Sequence, residues 1–161
     1  MENQPENDRI KKFVAYFKSI FEHDLNMSSF SDRIRLQKLV YILSKAGLDL
    51  GYSFSWYLRG SYSSPLASDG YFYRDNKDKF DWSYKFEENE VNVIEKVSRI
   101  SEFLKDENNS ELLASILYLY YELDYKESQL ITELKTRKPR FSDEEIKEAL
   151  RAWGKVLGLV S

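Results

Sequence analysis

Cysteine is absent from the 161 residues of this chain, and histidine occurs once, as His23. Without thiols the chain has no disulfide, no Cys nucleophile and no thiolate metal site. A zinc site would need mostly carboxylates, and no HExxH spacing is present. Six Gly and three Pro offer few positions for long irregular loops. We therefore expect short connections, no metal ion, no cofactor and a cytoplasmic location.

Long hydrophobic runs are missing as well. The most apolar run, residues 112–121, is about half as long as a membrane-spanning helix, which needs about 20 residues. We expect no membrane association. The length predicts one domain over residues 1–161, and the 12 Tyr, 10 Phe and 3 Trp argue against disorder.

The sequence also lacks the common motifs of enzymes. Phosphate-binding GxGxxG and GxxxxGK patterns and the GxSxG nucleophile motif do not occur. His23 falls at the C-terminal end of a predicted helix, where the helix dipole stabilises a cation. Acidic clusters at residues 87–90 and 143–145 fall at predicted helix starts, which the dipole also favours. We predict no catalytic residue; an unrecognised enzyme is the third alternative.

Apolar residues at spacings of three and four predict a mainly α fold. Amphipathic helices are predicted over residues 6–22, 32–46 and 88–105, and residues 112–121 predict a central, buried helix. The predicted N-terminal caps are Ser31, Ser64 before Pro65, Asp124 with Glu127, and Ser142 with Glu145; Gly47 and Gly158 are the predicted C-terminal stops.

Two segments change to the alternation typical of strands. Aromatic or aliphatic residues alternate with polar ones over residues 52–58 and again over residues 80–86. Because a single strand is not stable alone, we predict that these segments pair with each other. The predicted fold is a helical domain with one small two-stranded β-sheet, and a winged-helix-like arrangement is the alternative.

The net charge of −3 is unevenly distributed. Residues 33–60 carry five basic groups and one acidic group, and residues 135–161 carry seven and four. Residues 127–153 have the outline of a helix-turn-helix, but the second helix would begin with Asp143, Glu144 and Glu145, which repel phosphates. The acidic chain therefore does not favour nucleic acid as a partner.

The first basic segment contains the predicted binding surface. Arg35 and Lys38 share one face of the second helix, and Arg59 ends the first predicted strand. Tyr62 and Ser63 follow in a Ser-rich loop before a predicted helix N-terminus, where free N–H groups bind anions. We predict that these five residues form an exposed binding site. The alternatives are a solvated helix face and a simple strand-to-helix turn.

Three motifs carry a family resemblance. RLQKLVYIL, residues 35–43, resembles the LQKLVY signature of the YwgA-like proteins of bacteria and archaea, and also the opening helix of the Panacea antitoxin domain. YLRGSYSSPL, residues 57–66, is similar to the family's YGPYS turn, with Ser61 where the family usually has Pro. KPRFS, residues 138–142, is similar to the YwgA-like KPxFS.

The resemblance to the Panacea domain implies a function in protein binding, whereas the resemblance to the YwgA-like group implies no activity. The Panacea group implies a small helical antitoxin that neutralises a toxin partner, and no catalytic residues come with either group. From the sequence we predict a non-enzymatic protein-interaction module, antitoxin-like or adaptor-like, with a protein partner. The alternative is a DNA-associated transcriptional regulator with a degenerate winged helix.

Overall fold

The computed structural model describes residues 5–57 and 59–160. Within these ranges the chain forms eight helices and one two-stranded antiparallel sheet, which confirms the predicted fold class. In chain order the elements are α1 (Pro5–Phe21), α2 (Phe30–Ala46), β1 (Ser55–Tyr57), β2 (Gly60–Tyr62), α3 (Ser64–Asp75), α4 (Glu88–Ser98), α5 (Ser101–Lys105), α6 (Glu107–Tyr121), α7 (Glu127–Arg137) and α8 (Asp143–Leu157).

Helix α6 is central and buried, as the sequence predicts. It packs against α2, α5, α7, α8 and β2. Leu113 and Leu117 belong to a large core shared with α1, α2 and α4. Leu112 and Ile116, on another side of α6, belong to a second core shared with α7 and α8. An apolar surface all round the helix is what this double packing requires.

The predicted pairing of residues 52–58 with 80–86 is wrong. The sheet is a tight hairpin in which β1 pairs with β2, with Trp56 opposite Ser61. Gly60 makes the hairpin possible because its φ of 91° lies in the left-handed region. The predicted strand thus forms only at Ser55–Tyr57, and Leu58, which we assigned to it, lies outside the described residues.

Residues 80–86 belong to no described helix or strand. Their alternation nevertheless marks the buried face, because the aromatic side chains are half-buried and the polar ones between them are exposed. Trp82 packs on Tyr73 of α3 with ring centroids 5.3 Å apart, and Phe86 packs on Tyr16 of α1 at 5.6 Å. Helices therefore cover the aromatic face that we expected a second strand to cover.

Several predicted helix ends need correction by one or two residues. Ser29, not Ser31, caps α2 by accepting a hydrogen bond from the Asp32 amide, while the Ser31 hydroxyl donates to Glu107. Asp124 has a φ of 61° and lies in the turn after α6, so the residue before α7 is Lys126. Pattern places a cap only approximately, because several neighbouring polar residues can serve.

The helix predicted over residues 88–105 is two helices. A turn at Arg99 and Ile100 separates α4 from α5, and the Ile100 amide donates to the Val97 carbonyl. The apolar spacing continues across the turn, because Val97, Ile100 and Leu104 are all buried. Periodicity therefore did not reveal the break.

The last helix agrees with the sequence prediction. Ser142 and Glu145 form the predicted capping box, and Gly158 ends α8 in the left-handed conformation. Gly47 ends α2 as predicted. In the described part of the chain, no helix has the length and apolarity needed to cross a membrane.

Candidate binding site

The five residues of the predicted binding surface lie around the junction of α2, the hairpin and the start of α3. Lys38, Arg59 and Tyr62 line one cavity of about 310 Å3. Ser63 is buried next to Tyr62 at the N-terminal cap of α3, and Arg35 contacts α5 instead. The structure thus brings three of the five residues to one cavity.

Lys38 is buried, contrary to the expected exposed position, with 2% of its surface accessible. Its Nζ atom donates a 2.6 Å hydrogen bond to the Ser61 carbonyl. Burial lowers the pKa of Lys38 to about 8, against the charge of Glu111, which raises it; Lys138 and Arg59 lower it further. The ammonium group therefore supports the hairpin from below rather than facing solvent.

Ser63 is likewise buried rather than exposed. Its hydroxyl accepts a 3.3 Å hydrogen bond from the Leu66 amide, which caps α3. The Gln37 side chain donates to the Ser63 carbonyl and accepts from the Ser63 amide, both at 2.9 Å. The cap, which we had assigned to Ser64, is thus one residue earlier. It occupies donors that we expected an anion to use.

Arg35 joins α2 to the end of α5. Its Nε and Nη2 atoms donate to the Lys105 carbonyl at 3.1 and 2.7 Å, and its Nη1 atom lies 3.3 Å from Asp32. A guanidinium at a helix C-terminus satisfies carbonyls that have no partner within the helix. These contacts give Arg35 a structural position.

The cavity lined by Lys38, Arg59 and Tyr62 is walled by aromatic rings, and we call it the aromatic cavity. Phe30 and Tyr57 stand at its mouth with 52% and 59% of their surfaces exposed. The other residues lining it are Met27, Arg33, Ile34, Leu36, Gln37, Ala67 and Tyr71. Its walls are mostly apolar, and its charged groups come from α2 and the hairpin turn.

Two arginine side chains lie at the mouth of the aromatic cavity, over the Phe30 ring. The Arg59 guanidinium lies 5.1 Å from the centre of the Phe30 ring, and that of Arg33 lies 5.6 Å from it. Arg33 also donates to the Met27 carbonyl at 2.9 Å. Tyr57 packs against Tyr62 across the hairpin with ring centroids 5.4 Å apart. The mouth therefore combines exposed rings with positive charge.

Sequence reasoning did not select Phe30, Tyr57 or Tyr71. The signal for Tyr57 was available, because this aromatic residue shares the polar face of its alternating segment with Ser53 and Ser55. An aromatic side chain on a face that otherwise meets water indicates a contact surface. Phe30 and Tyr71 had no such signal, because their proximity depends on how α3 packs on α2.

A second cavity, of about 530 Å3, opens on the other side of Arg59, and we call it the cationic cavity. Glu111 of α6, which is 2% exposed, belongs to its lining and contacts three of its cations. Lys138 Nζ lies 2.8 Å and Arg140 Nη2 lies 2.5 Å from Glu111 Oε2, whereas Arg59 lies 3.9 Å from Oε1. Among residues 5–57 and 59–160, the remaining lining residues are Arg137 and Pro139.

Glu111 stays ionised within this cluster. Burial raises the pKa of Glu111, but hydrogen bonds from Lys138 and Arg140 and their charges outweigh burial and hold the pKa below its usual value. In the sequence, residues 135–140 stand out as basic and fall within the outline of a helix-turn-helix, but the sequence does not predict their contact with Glu111. Glu111 gave no signal, because the residues that contact it, Lys138 and Arg140, are distant in the sequence.

His23 lies after the end of α1 and contacts the start of α2. Its Nε2 atom is 3.1 Å from Asp32 Oδ1, and its ring packs edge-on against Phe17. Asp32 also accepts from the Asn26 amide and from Arg35. Across the described ranges, no group of three or more acidic or histidine side chains is arranged to hold a metal ion.

Comparison of the chain with protein-family models, with curated proteins and with solved structures finds no match.

Proposed function

We propose that this protein is a non-enzymatic interaction module, antitoxin-like or adaptor-like, which binds a segment of a partner protein in the aromatic cavity. The observation that carries the proposal is the exposure of Phe30 and Tyr57 beside an apolar cavity with Arg33 and Arg59 at its mouth. Aromatic and Arg side chains are the types that anchor protein interfaces.

The chemistry of the cavity defines the segment that fits. A large apolar side chain of the partner enters between the rings, and burying one such side chain contributes about 1.5–3 kcal/mol. Acidic residues on either side of it face Arg33 and Arg59, so that opposite charges guide the encounter. The partner segment is therefore an acidic peptide with one aromatic or aliphatic anchor.

The resemblance to the Panacea antitoxin domain supports the same proposal. The motif that carries the resemblance, residues 35–43, lies in α2. Leu36, Gln37 and Lys38 of that motif line the aromatic cavity. An antitoxin acts by binding its toxin, so a cavity built on this motif suits that role.

The experiment is a selection of random heptapeptides displayed on phage against the full chain. We expect enriched peptides with one Phe, Leu or Trp flanked by Asp or Glu. Fluorescence anisotropy of a labelled consensus peptide then gives Kd for the wild type and for Tyr57→Ala. The loss of one ring that lines the cavity should weaken binding about tenfold. The matched control is Tyr120→Ala, because Tyr120 of α6 is similarly exposed but does not line the cavity.

Three outcomes would contradict the proposal. The first is a selection that enriches no peptide or only basic peptides. The second is that Tyr57→Ala binds the consensus peptide as tightly as the wild type does. The third is a dimer, seen by sedimentation, that dissociates in Tyr57→Ala, because the cavity would then be covered by a second copy of the chain.

A further inference from the structure

We propose that the cationic cavity binds a phosphate monoester, an activity separate from peptide binding in the aromatic cavity. The site consists of Arg59 at the hairpin turn, Lys138 and Arg140 after α7, and Glu111 of α6 beneath them. Among the described lining residues, only Arg59 is shared with the aromatic cavity.

The cationic cavity has an excess of positive charge. Three cations, Arg59, Lys138 and Arg140, surround the single carboxylate of Glu111. Arg137, the fourth cation of the lining, is already paired with Glu133 at 2.8 Å. Lys38 lies close enough to Glu111, Lys138 and Arg59 for all three charges to shift its titration. Glu111 alone therefore leaves at least two positive charges uncompensated.

The two carboxylate oxygens of Glu111 differ in the donors that contact them. Oε2 receives both close donors, Lys138 and Arg140, whereas Oε1 has Arg59 at 3.9 Å, beyond hydrogen-bond distance. A guanidinium has five N–H donors in a planar fork, so Arg59 and Arg140 keep donors for a ligand. Both side chains are about half exposed, and an anion can therefore reach them from solvent.

The base of the site, formed by Lys138 and Glu111, is held in place by its surroundings. Lys138 is buried at the C-terminal cap of α7, and Glu111 is fixed within α6. Beside Glu111, Gly60 approaches α6 so closely that a Cβ there would lie 2.8 Å from Ser115 Oγ. A ligand therefore meets charges that are already in place, which lowers the entropy cost of binding.

Charge and size favour a phosphate monoester over a carboxylate. A phosphate monoester carries about −1.5 to −2 charges at neutral pH, which matches the excess of Arg59, Lys138 and Arg140 over Glu111. Arg forks bind phosphate oxygens in pairs. The cavity of about 530 Å3 is larger than a phosphate group, so that the esterified part of the ligand also fits.

The test is calorimetric titration of the full chain at low ionic strength with inorganic phosphate, AMP and glucose 6-phosphate. We expect at least one monoester to bind more tightly than inorganic phosphate, and Arg140→Gln to weaken that binding about tenfold or more, since a hydrogen bond to a charged group is lost. Arg74→Gln is the matched control, because its side chain is 47% exposed against 48% for Arg140 and it lies on α3 outside the cavity.

Further variants separate this site from the aromatic cavity. Tyr57→Ala should keep monoester affinity while binding the peptide about tenfold more weakly. Arg140→Gln should keep peptide affinity while binding the monoester more weakly by about tenfold or more. The proposal is overturned if no monoester binds at 5 mM, if Arg140→Gln and Arg74→Gln bind equally, or if inorganic phosphate binds as tightly as every ester. Tighter binding of duplex DNA than of any monoester at equal ionic strength would also overturn it.

Discussion

The ammonium group of Lys38 and the main-chain carbonyl of Ser61 form a hydrogen bond of 2.6 Å between α2 and β2, and both residues are buried. A lysine so placed loses most of its hydration and gains one strong acceptor in return. The Lys38 side chain therefore supports the hairpin between the two cavities, although ionisation of its buried amine lowers the stability of the folded state.

This relationship predicts a rise of stability in mild alkali. The folded pKa of about 8 lies below the unfolded value of 10.5, so between these pH values the unfolded chain binds more protons. Stability therefore rises with pH across that window. The free energy of unfolding of the wild type minus that of Lys38→Met should rise by about 3 kcal/mol between pH 8 and pH 10.5. Urea unfolding at both pH values measures it.

The difference between the two proteins cancels the titration of buried tyrosines, which acts in the opposite direction. Burial and hydrogen bonds to carboxylates raise the pKa of Tyr16, Tyr41 and Tyr52 in the folded state. A difference between wild type and Lys38→Met that stays constant with pH would show that the pKa of Lys38 is not lowered in the folded protein.

Glu111 should be essential for stability near neutral pH. Glu111→Gln leaves Lys138 buried without its ion-pair partner, and breaking a buried pair costs about 3–5 kcal/mol. The lowered pKa of the Glu111 carboxyl means that its contribution is present above pH 4.5 and is lost as the pH falls through its folded pKa. Thermal unfolding of the wild type and Glu111→Gln should show a larger difference in stability at pH 7 than at pH 3, because protonation of the unfolded chain below pH 4.5 begins to remove this contribution. Equal differences would contradict this role.

Gly60 should tolerate no side chain. In Gly60→Ala the Cβ meets Ser115 Oγ at 2.8 Å, and the φ of 91° is strained for alanine. We expect a loss of about 1–3 kcal/mol in unfolding free energy. The Ser115→Gly substitution removes the close contact but leaves the backbone strain. Gly60→Ala should therefore cost less unfolding free energy in the Ser115→Gly background than in the wild type. No recovery would assign the whole effect to the backbone.

Duplex DNA should not bind tightly at physiological salt. The start of α8 exposes Asp143, Glu144 and Glu145, which would face phosphates if this helix entered a groove. A mobility-shift assay at 150 mM salt measures this, with the charge-neutral triple variant to Asn, Gln and Gln as the comparison. Submicromolar binding by the wild type that weakens steeply with salt would favour the DNA-associated alternative.

The sequence predicted most of the helical fold, because its apolar periodicity directly reports which face of each helix is buried. It failed where a partner had to be chosen. The aromatic side chains of residues 80–86 are half-buried as their alternation indicates, but α1 and α3 cover them instead of a strand. Alternation defines a buried face and contains no information on what covers it.

The candidate site was predicted in part for a similar reason. Basic residues in a local segment were visible, and Lys38, Arg59 and Tyr62 do meet at one cavity. Burial of Lys38 was not visible, because it depends on contacts with β2 and α6, which are distant in sequence. Glu111 was missed because its partners Lys138 and Arg140 follow it by 27 and 29 residues.

Helix α6 has a consequence for how the molecule opens. Because it supplies Leu113 and Leu117 to one core and Leu112 and Ile116 to the other, neither core can come apart without exposing apolar surface of the same helix. Local fluctuations that release α7 and α8 leave α6 held by α2, and those that release α1 leave it held by α8. We therefore expect the hydrogen-bonded amide protons in the middle of α6 to exchange with solvent more slowly than those of the other described helices.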